Sequence, residues 1–497
     1  STGCIDSSAY NYNPNATVDD GSCVLMLISG CTDSLALNYY PAANMDDGSC
    51  CYLSFGANWQ QIGNGFNGTN GFNGNFGKGS SIDESGSVVA ISDPYSYNSK
   101  GSIKIFEKLN NVWSQKGQDV VGISDNEHLS YVKLDSSGNT ILVSAPFYSA
   151  PSASNPSDSG FHVGRVAIYE FLNGIWIQKG NSIYGEYNQE KIGHENAIAI
   201  SSDGNIIVIG SIESGNGTGH VRVYEFHNNS WNKTADFNNI NNSLGWSVDI
   251  NDLGNVIAFG NGIRYSSNPN IVEVWQKDNN SWQLKGSPLI GQLSGHGGNS
   301  NGFGFSVSLS SDGNTLAIGA RADTVSGNAS GKVLVYEFDG NNWLQIGNDI
   351  NGLSEGDQFG QSVSINGDGN IVAIGANNAG IGGQVRVFRN HNSSWVQLGN
   401  ILDEGDNSSS YFGWPVSISS NGNAIAASAY GFNSGTGNVS TFTIQLPCSG
   451  CTDSLAFNYD PYSLIDDSSC FYVGCMDSLA LNYDSLADQS DSSCTYC

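Results

Sequence analysis

The stretch "FGQSVSINGDGNIVAIGANNAGIGGQVRVFRNHNSSWVQLGN" (Phe359–Asn400) holds four strand signals divided by turns. "SVSI" alternates small polar and apolar residues, and "NGDGN" supplies an Asp-Gly turn whose glycine accepts positive φ. "IVAIGA" is an unbroken apolar run, the pattern of a strand covered on both faces. "QVRVF" alternates again, and "WVQLG" follows across a further turn. Four antiparallel strands in one such unit are the content of a propeller blade.

Working outward, the unit recurs with a period of about 56 residues. Fourth strands are marked by Trp59, Trp113, Trp176, Trp231, Trp282, Trp343 and Trp395. First hairpins centre on Gly86, Gly138, Gly204, Gly254, Gly313, Gly369 and Gly422. Third strands start near Ile103, Val166, Val221, Ile271, Val333, Val385 and Val439. Each marker counts seven, so the expected fold class is all-β, a seven-bladed β-propeller.

The phase of the repeat says how the ring closes. The first tryptophan strand, in "CYLSFGANWQQIG" (Cys51–Gly63), has no preceding strands of its own, and the last unit ends at "GNVSTFTI" (Gly437–Ile444) without one. Joining them completes blade seven and removes the open sheet edges that invite aggregation. Cys51 and Cys448 flank the two joined strands, and a Cys51–Cys448 disulfide is expected to clasp the ring. In the chain-entropy model a loop of roughly 400 residues gives at most about 6 kcal/mol.

A shorter repeat flanks the propeller twice on each side: "GCIDSSAYNYNPNATVDDGSC" (Gly3–Cys23), "GCTDSLALNYYPAANMDDGSC" (Gly30–Cys50), "GCTDSLAFNYDPYSLIDDSSC" (Gly450–Cys470) and "GCMDSLALNYDSLADQSDSSC" (Gly474–Cys494). The cysteines stand 19 apart in every copy, so the economical pairs are Cys4–Cys23, Cys31–Cys50, Cys451–Cys470 and Cys475–Cys494. A unit this short cannot build a sufficient core and needs a staple or a metal. The domain boundaries expected are 1–29 and 30–50 for two modules, 51–448 for the propeller, and 449–473 and 474–497 for the other two. Cys497 is left over. It opens the clasp of a further propeller, crosslinks to another chain, or is a free thiol.

Composition narrows the function classes. Against 18 basic residues stand 46 acidic ones, a net charge of −28 that repels nucleic acid and anionic membranes and attracts cations. No apolar run approaches the ~20 residues of a membrane span, so no membrane insertion is expected. The chain starts without Met and without a signal peptide, which reads as a processed or truncated product. Eleven cysteines at regular spacing point to an oxidising compartment, so the expected location is secreted, extracellular or on a cell or particle surface.

"DQFGQSVSINGDGNIVAIGA" and "NGFGFSVSLSSDGNTLAIGA" resemble FG-GAP repeats of the integrin-α-type seven-bladed propeller, a family that also donates an N-terminal strand to its last blade. The pair stands at Phe76-Gly77, Leu244-Gly245, Phe303-Gly304, Phe359-Gly360 and Phe412-Gly413, with His128-Leu129 and His194-Glu195 at the aligned places in blades two and three. The family's Asp-x-Asp-x-Asp-Gly calcium loop is absent from every hairpin, so its calcium sites do not carry over. The short repeats resemble cysteine-bounded modules of large secreted microbial surface proteins. Such modules often hold a further cysteine where Tyr10, Leu37, Phe457 and Leu481 stand here, which implies simpler pairing.

Each module carries an early aspartate (Asp6, Asp33, Asp453, Asp477) and a late acidic group: Asp19-Asp20, Asp46-Asp47, Asp466-Asp467, and Asp491 in the fourth copy. Calcium wants six to eight hard oxygens, which carboxylates gathered by a disulfide can help supply. The alternative reading is a turn whose side chains cap backbone amides. "GNGFNG" (Gly63–Gly68) matches a phosphate-loop pattern by chance in a glycine-rich chain, and "CSGC" and "CTYC" join cysteines already assigned elsewhere.

No HExxH is present, and the first strands read as small and uncharged, so an enzyme is not expected. His128, His194 and Glu195 are the titratable cluster near the channel rim, read mainly as structural replacements of phenylalanine. Asn67, Asn216, Asn232, Asn328, Asn392 and Asn438 open glycosylation sequons, at about the number chance supplies. Tyr95 and Tyr97, with Phe147, Tyr148 and Phe161 of the longest loop, are the candidate recognition residues. The expected function is an extracellular structural or adhesive surface protein, one propeller bead in a larger array or filament. The alternative is a lectin-like or receptor-like module that binds a glycan or a protein. Expected partners are other copies of the chain, neighbouring surface proteins and glycans.

Overall fold

The computed structural model describes residues 58–445 apart from 69–73, 111, 150, 153–154, 160–161, 212–218, 239–243, 263–266, 280 and 404–409. Outside that span it describes 2, 14–19, 29–30, 45–46, 449–450, 453, 456, 465–466, 470–478, 480, 482–483, 487, 489–490 and 493–496. The chain divides into two compact units, Trp59–Ile444 and Ser1–Asn58 with Gln445–Cys497.

Trp59–Ile444 is a seven-bladed β-propeller. Blade six shows the plan: Ser362–Ile365, Ile371–Ala376, Gln384–His391 and Ser394–Gln397 form one antiparallel sheet in chain order. Ile371–Ala376 is buried at every position, because both of its faces meet neighbouring sheets. In the fourth strand only Trp395 is buried, its neighbours facing solvent. The first hairpin is fixed by Asn366, whose side-chain oxygen accepts from the N–H groups of Asn370 and Ile371. Gly369 sits at φ +70, and a Cβ there would lie 2.5 Å from Thr315 Oγ1 of blade five. That turn therefore needs glycine for both conformation and space.

Blade seven closes as the repeat phase requires. Asn58–Gln61 pairs with Asn438–Gln445, which pairs in turn with Ala424–Ala429 and Val416–Ile418. The Ile62 N–H donates to Thr441 O at 2.8 Å. Cys51 and Cys448 lie outside the described residues.

Two features knit blade to blade, and both explain sequence motifs. At the tryptophan strands of blades two, three, five and six, the indole reaches back to the carbonyl that precedes the motif glycine of the previous blade. Trp176 Nε1 donates to Lys116 O, Trp231 to Lys179 O, Trp343 to Lys285 O and Trp395 to Ile346 O, at 2.7–3.0 Å. The glycine makes room: a Cβ on Gly117 would come within 2.9 Å of Phe171 and Trp176. Blade three reads "WNKTA" instead and has no such glycine. Correspondingly, Trp282 Nε1 of blade four has no partner among the described residues.

The second feature satisfies the inner strands, whose channel-side N–H groups have no neighbouring strand. Ser81 Oγ accepts from Leu134 N–H, Ser308 from Ile365, Ser364 from Ile418 and Ser417 from Ile82, at 3.1–3.2 Å. Small hydroxyl residues recur in "SVSI" and "SVSL" because each one bonds the next blade. The inner strands are not uniformly uncharged, which corrects the sequence expectation. Blade two carries Lys133 and blade four Asp249 at the same register, and both line the channel. Asp249 still accepts from Leu309 N–H at 2.7 Å, so its carboxylate keeps the serine's role.

The FG pairing is corrected in blades two and three. Gly360 N–H donates to Gly375 O, and the preceding Phe359 is 1% exposed. Ser130 N–H to Ser144 O and Gly193 N–H to Gly210 O are the equivalent bonds. The pairs are thus Leu129-Ser130 and Ile192-Gly193, displaced by one and by two residues from the sequence alignment. Leu129 and Ile192 fill the phenylalanine's buried place, and the histidines are released from it.

The flanking modules share one local geometry. Ser29–Gly30 pairs in parallel with Met45–Asp46, Ser449–Gly450 with Ile465–Asp466, and Val473–Gly474 with Gln489–Ser490, while Thr2 bridges Val18. All four pairings join residues 16 apart. Cys475–Cys494 is a disulfide, and Cys470 is also disulfide-bonded. The pairs Cys4–Cys23 and Cys31–Cys50, along with Cys451 and Cys497, lie outside the described residues.

Candidate binding site on the loop face

The two faces of the propeller differ. On the face bearing the first hairpins, the second residue of each turn joins a ring of main-chain bonds around the channel. Ser136 N–H donates to Ser202 O, Ser202 to Asp252, Asp252 to Ser311, Ser311 to Gly367, Gly367 to Ser420 and Ser420 to Glu84, at 2.9–3.3 Å. Across this mouth Ser202 Oγ donates to Glu84 Oε1 at 2.7 Å. Burial first, then the nearby carboxylates of Asp252, Asp83 and Asp135, raise the Glu84 pKa against the lowering effect of the Ser202 bond. The free space behind the ring is about 170 Å3. This end is drawn tight.

The opposite face carries the second-to-third strand loops and the linkers between blades, and it opens into a cavity of about 450 Å3. Its wall comes from blades one to three. Tyr95 stands on the first loop, His128 on the linker into blade two, and Phe147 and His162 on the long loop of blade two. His194 follows the Ile192-Gly193 pair of blade three, and Lys78 the Phe76-Gly77 pair of blade one. Phe147 is central: its ring centroid lies 6.4 Å from His128, 5.5 Å from His162 and 5.9 Å from His194. Tyr95 packs on His128 at 4.7 Å and Tyr131 on His194 at 5.8 Å.

The backbone explains why these rings converge. Among the described residues, the one before each buried pair takes positive φ, as at Gln358 (53°) and His128 (52°). Its N–H bonds back to a loop carbonyl, Ala329 O for Gln358 and Ser99 O for His128. This conformation turns His128 out of the packing seam. His162 is also at positive φ (54°), with its N–H held by Ser149 Oγ. Such left-handed residues cost about 1–3 kcal/mol each and persist where the surroundings over-determine them.

The electrostatics are unlike those of the chain as a whole. Among the described residues no carboxylate lines the cavity, whereas three imidazoles, Lys78, Asn75 and Asn126 do. His128 Nδ1 is buried with no hydrogen-bond partner among the described residues. Burial lowers the His162 pKa, reinforced by Lys191 and His128. Burial likewise lowers that of Lys78, with Glu195 pulling the other way. The Lys78 ammonium lies 4.4 Å from the Tyr430 ring centroid and 5.0 Å from that of Trp414.

Of the residues singled out from sequence, Tyr95 and Phe147 meet in this cavity together with His128 and His194. Tyr97 does not: its hydroxyl donates to Asp119 at 3.0 Å. Tyr148 packs against Tyr184 at 5.5 Å. Phe161 lies outside the described residues. His162, Tyr131 and Lys78 were missed, because each occupies an ordinary loop or strand position whose neighbours come from another blade. The sequon asparagine Asn438 is 5% exposed and bonds Asn67, which places both in the closing sheet.

In the two C-terminal modules, the early aspartates have a defined local partner. Tyr472 donates its hydroxyl to Asp453, and Tyr496 donates to Asp477 at 2.6 Å. Each tyrosine follows the closing cysteine of its module by two residues. Among the described residues no three His, Cys, Asp or Glu side chains gather as a metal-binding group. Asp6, Asp20, Asp33, Asp47, Asp467 and Asp491 lie outside the described residues.

No family profile matches the chain, and no curated protein sequence matches it. Among similar solved structures is a "putative 6-phosphogluconolactonase" from Bacteroides uniformis ATCC 8492, 10% identical, with a TM-score of 0.45 over 66% of this chain and 85% of that one. Another, of the same description, from Bacteroides fragilis NCTC 9343, is 10% identical with a TM-score of 0.43, covering 66% and 84%. Neither bears on what this chain does.

Proposed function

We propose that the chain is an extracellular adhesive surface protein. In this reading the propeller is a rigid, non-catalytic bead, the loop-face cavity is its ligand site, and the cysteine modules link it to other copies or neighbouring surface proteins. One observation carries the reading: three consecutive blades bring Tyr95, Phe147 and three imidazoles into one recess of about 450 Å3. Binding pockets for small ligands fall in the range of roughly 300–1,000 Å3 and join aromatic walls to a few polar groups. Packing in the seam falls to Leu129 and Ile192, so His128 and His194 stand in the wall of the recess. The FG-GAP resemblance of the repeats supports the same reading, as does the common parallel pairing of the four modules. Calcium bound by the module carboxylates belongs to this proposal, on the strength of their paired aspartates.

The test is a glycan and peptide array probed with the full chain and with a Phe147→Ala, His128→Asn double variant of matched thermal stability. Binding lost in the variant supports the reading. Equal signals from both proteins, or none from either, overturn it. Non-reducing electrophoresis and electron microscopy of native material test the array role, which a monomer without intermolecular disulfides would sink.

A further inference from the structure

We propose that the loop-face cavity is selective for an acidic sugar, a pyranose ring bearing a carboxylate, rather than for neutral saccharides. This rests on the binding function proposed above and names the ligand class for the same site.

Three independent features of the wall lead there. The first is charge. The chain carries 46 acidic residues against 18 basic ones, yet among the described residues none of the wall side chains is a carboxylate, the nearest being Glu195, 4.0 Å from His194 Nδ1. What it holds instead are His128, His162, His194 and Lys78, each with nitrogen that donates a hydrogen bond or carries positive charge. A surface this acidic repels anions at long range, so a recess whose described wall carries three imidazoles and an ammonium, with Glu195 the one carboxylate set against Lys78 and His194, is where an anion can be admitted.

The second is the ring surface. Phe147 stands between His128, His162 and His194 with its ring centroid 5.5–6.4 Å from theirs, and Tyr95 and Tyr131 extend the same wall. Aromatic rings pack against the C–H faces of a pyranose, and the adjoining Asn75, Asn126 and Ser130 offer partners for its hydroxyls. A wholly apolar ligand would leave those amides unmatched.

The third is an unmet hydrogen bond. His128 Nδ1 is shielded from solvent and has no partner among the described residues. Buried polar atoms without a partner are rare and costly, and such an atom in a pocket wall suits a ligand that supplies the partner. The volume fits one or two sugar rings.

The experiment is calorimetric titration of the full chain with glucuronic acid, glucuronamide, glucose and benzoate. The first three differ mainly in charge, and benzoate keeps the carboxylate and a ring without hydroxyls. Glucuronate is expected to bind at least about tenfold more tightly than the amide or glucose, and more tightly than benzoate. Phe147→Ala is expected to weaken it by at least about tenfold. His128→Asn tolerates the same left-handed backbone and is expected to weaken glucuronate severalfold while moving glucose less. Circular dichroism melts confirm that both variants fold. Equal affinities for glucuronate and glucuronamide overturn the proposal, as does tighter binding of benzoate or no heat from glucuronate up to about 10 mM. If the arrays find cavity-dependent binding of a neutral glycan or a peptide while glucuronate fails, this inference falls and the binding function stands. If no array ligand depends on the cavity, the binding function itself falls.

Discussion

The indole Nε1 of Trp59 donates to the carbonyl oxygen of Leu398 at 3.0 Å, a bond between residues 339 positions apart. The Trp59 N–H also donates to Asn400 Oδ1 at 2.8 Å. The chain's first tryptophan strand is thus held to blade six by the same joint that links other neighbouring blades. Trp59→Ala should therefore cost about 3–5 kcal/mol in chemical denaturation, the loss for truncating a buried tryptophan. A loss under about 1 kcal/mol would mean that the closing strand is not part of the cooperative ring.

The indole joint also separates tryptophans that look alike in sequence. Trp176→Phe removes a hydrogen bond and strands Lys116 O, an expected cost of about 1 kcal/mol beyond the lost ring area. Trp282→Phe removes an indole N–H that has no partner among the described residues, so that extra cost should vanish. Matched denaturation curves for the two variants decide it.

Gly117 and Gly174 both have positive φ, at 74° and 85°. A Cβ on Gly117 meets Phe171 and Trp176 at 2.9 Å, whereas nothing lies within 4 Å of one on Gly174. Gly174→Ala should cost about 1 kcal/mol from conformation alone. Gly117→Ala should cost at least about twice that, since the indole joint must shift. Equal costs would show that the joint is soft.

Ser364 Oγ accepts from the Ile418 N–H across the blade six to seven seam. Ser364→Ala leaves that amide facing the channel without its acceptor, for an expected loss of about 1 kcal/mol. Hydrogen exchange at Ile418 should accelerate more than at Ile425, which lies within its sheet. Unchanged exchange at Ile418 would refute the role given to the inner-strand serines.

Acid stability should depend on the hairpin aspartates. Burial raises the Asp312 pKa, but hydrogen bonds from Ser310 and Asn314, with Lys285 nearby, outweigh it and hold the pKa below 3.8. A depressed folded pKa means stability that is present above the unfolded value and is lost as pH falls through the folded one. Asp312→Asn should therefore flatten the fall in melting temperature below about pH 4 and change little at neutral pH. A parallel fall in both proteins would contradict this.

Peptide mapping under non-reducing conditions should recover Cys51 linked to Cys448. Recovery of either cysteine in a different pair would remove the proposed clasp, while the hydrogen-bonded closure at Trp59 would remain.

By itself the sequence determined the blade number, the phase of ring closure and the positions of the strands. These follow from short-range chemistry: alternation, turn glycines and a tryptophan at a fixed place need no distant partner to be read. It also marked Tyr95 and Phe147 as exposed loop aromatics. Tertiary structure alone decided what the histidines do. One local alignment placed His128 and His194 in phenylalanine's role, yet the backbone bonds of Ser130 and Gly193 give that role to Leu129 and Ile192. Linkers of unequal length hide the register, and a one-residue shift moves a side chain from the packing seam to the open face. The cavity joins Lys78, Tyr95, His128, Phe147, His162 and His194, which no spacing rule connects. They meet because three sheets pack side by side and their loops bend through positive φ, a result of long-range packing that a linear pattern does not encode.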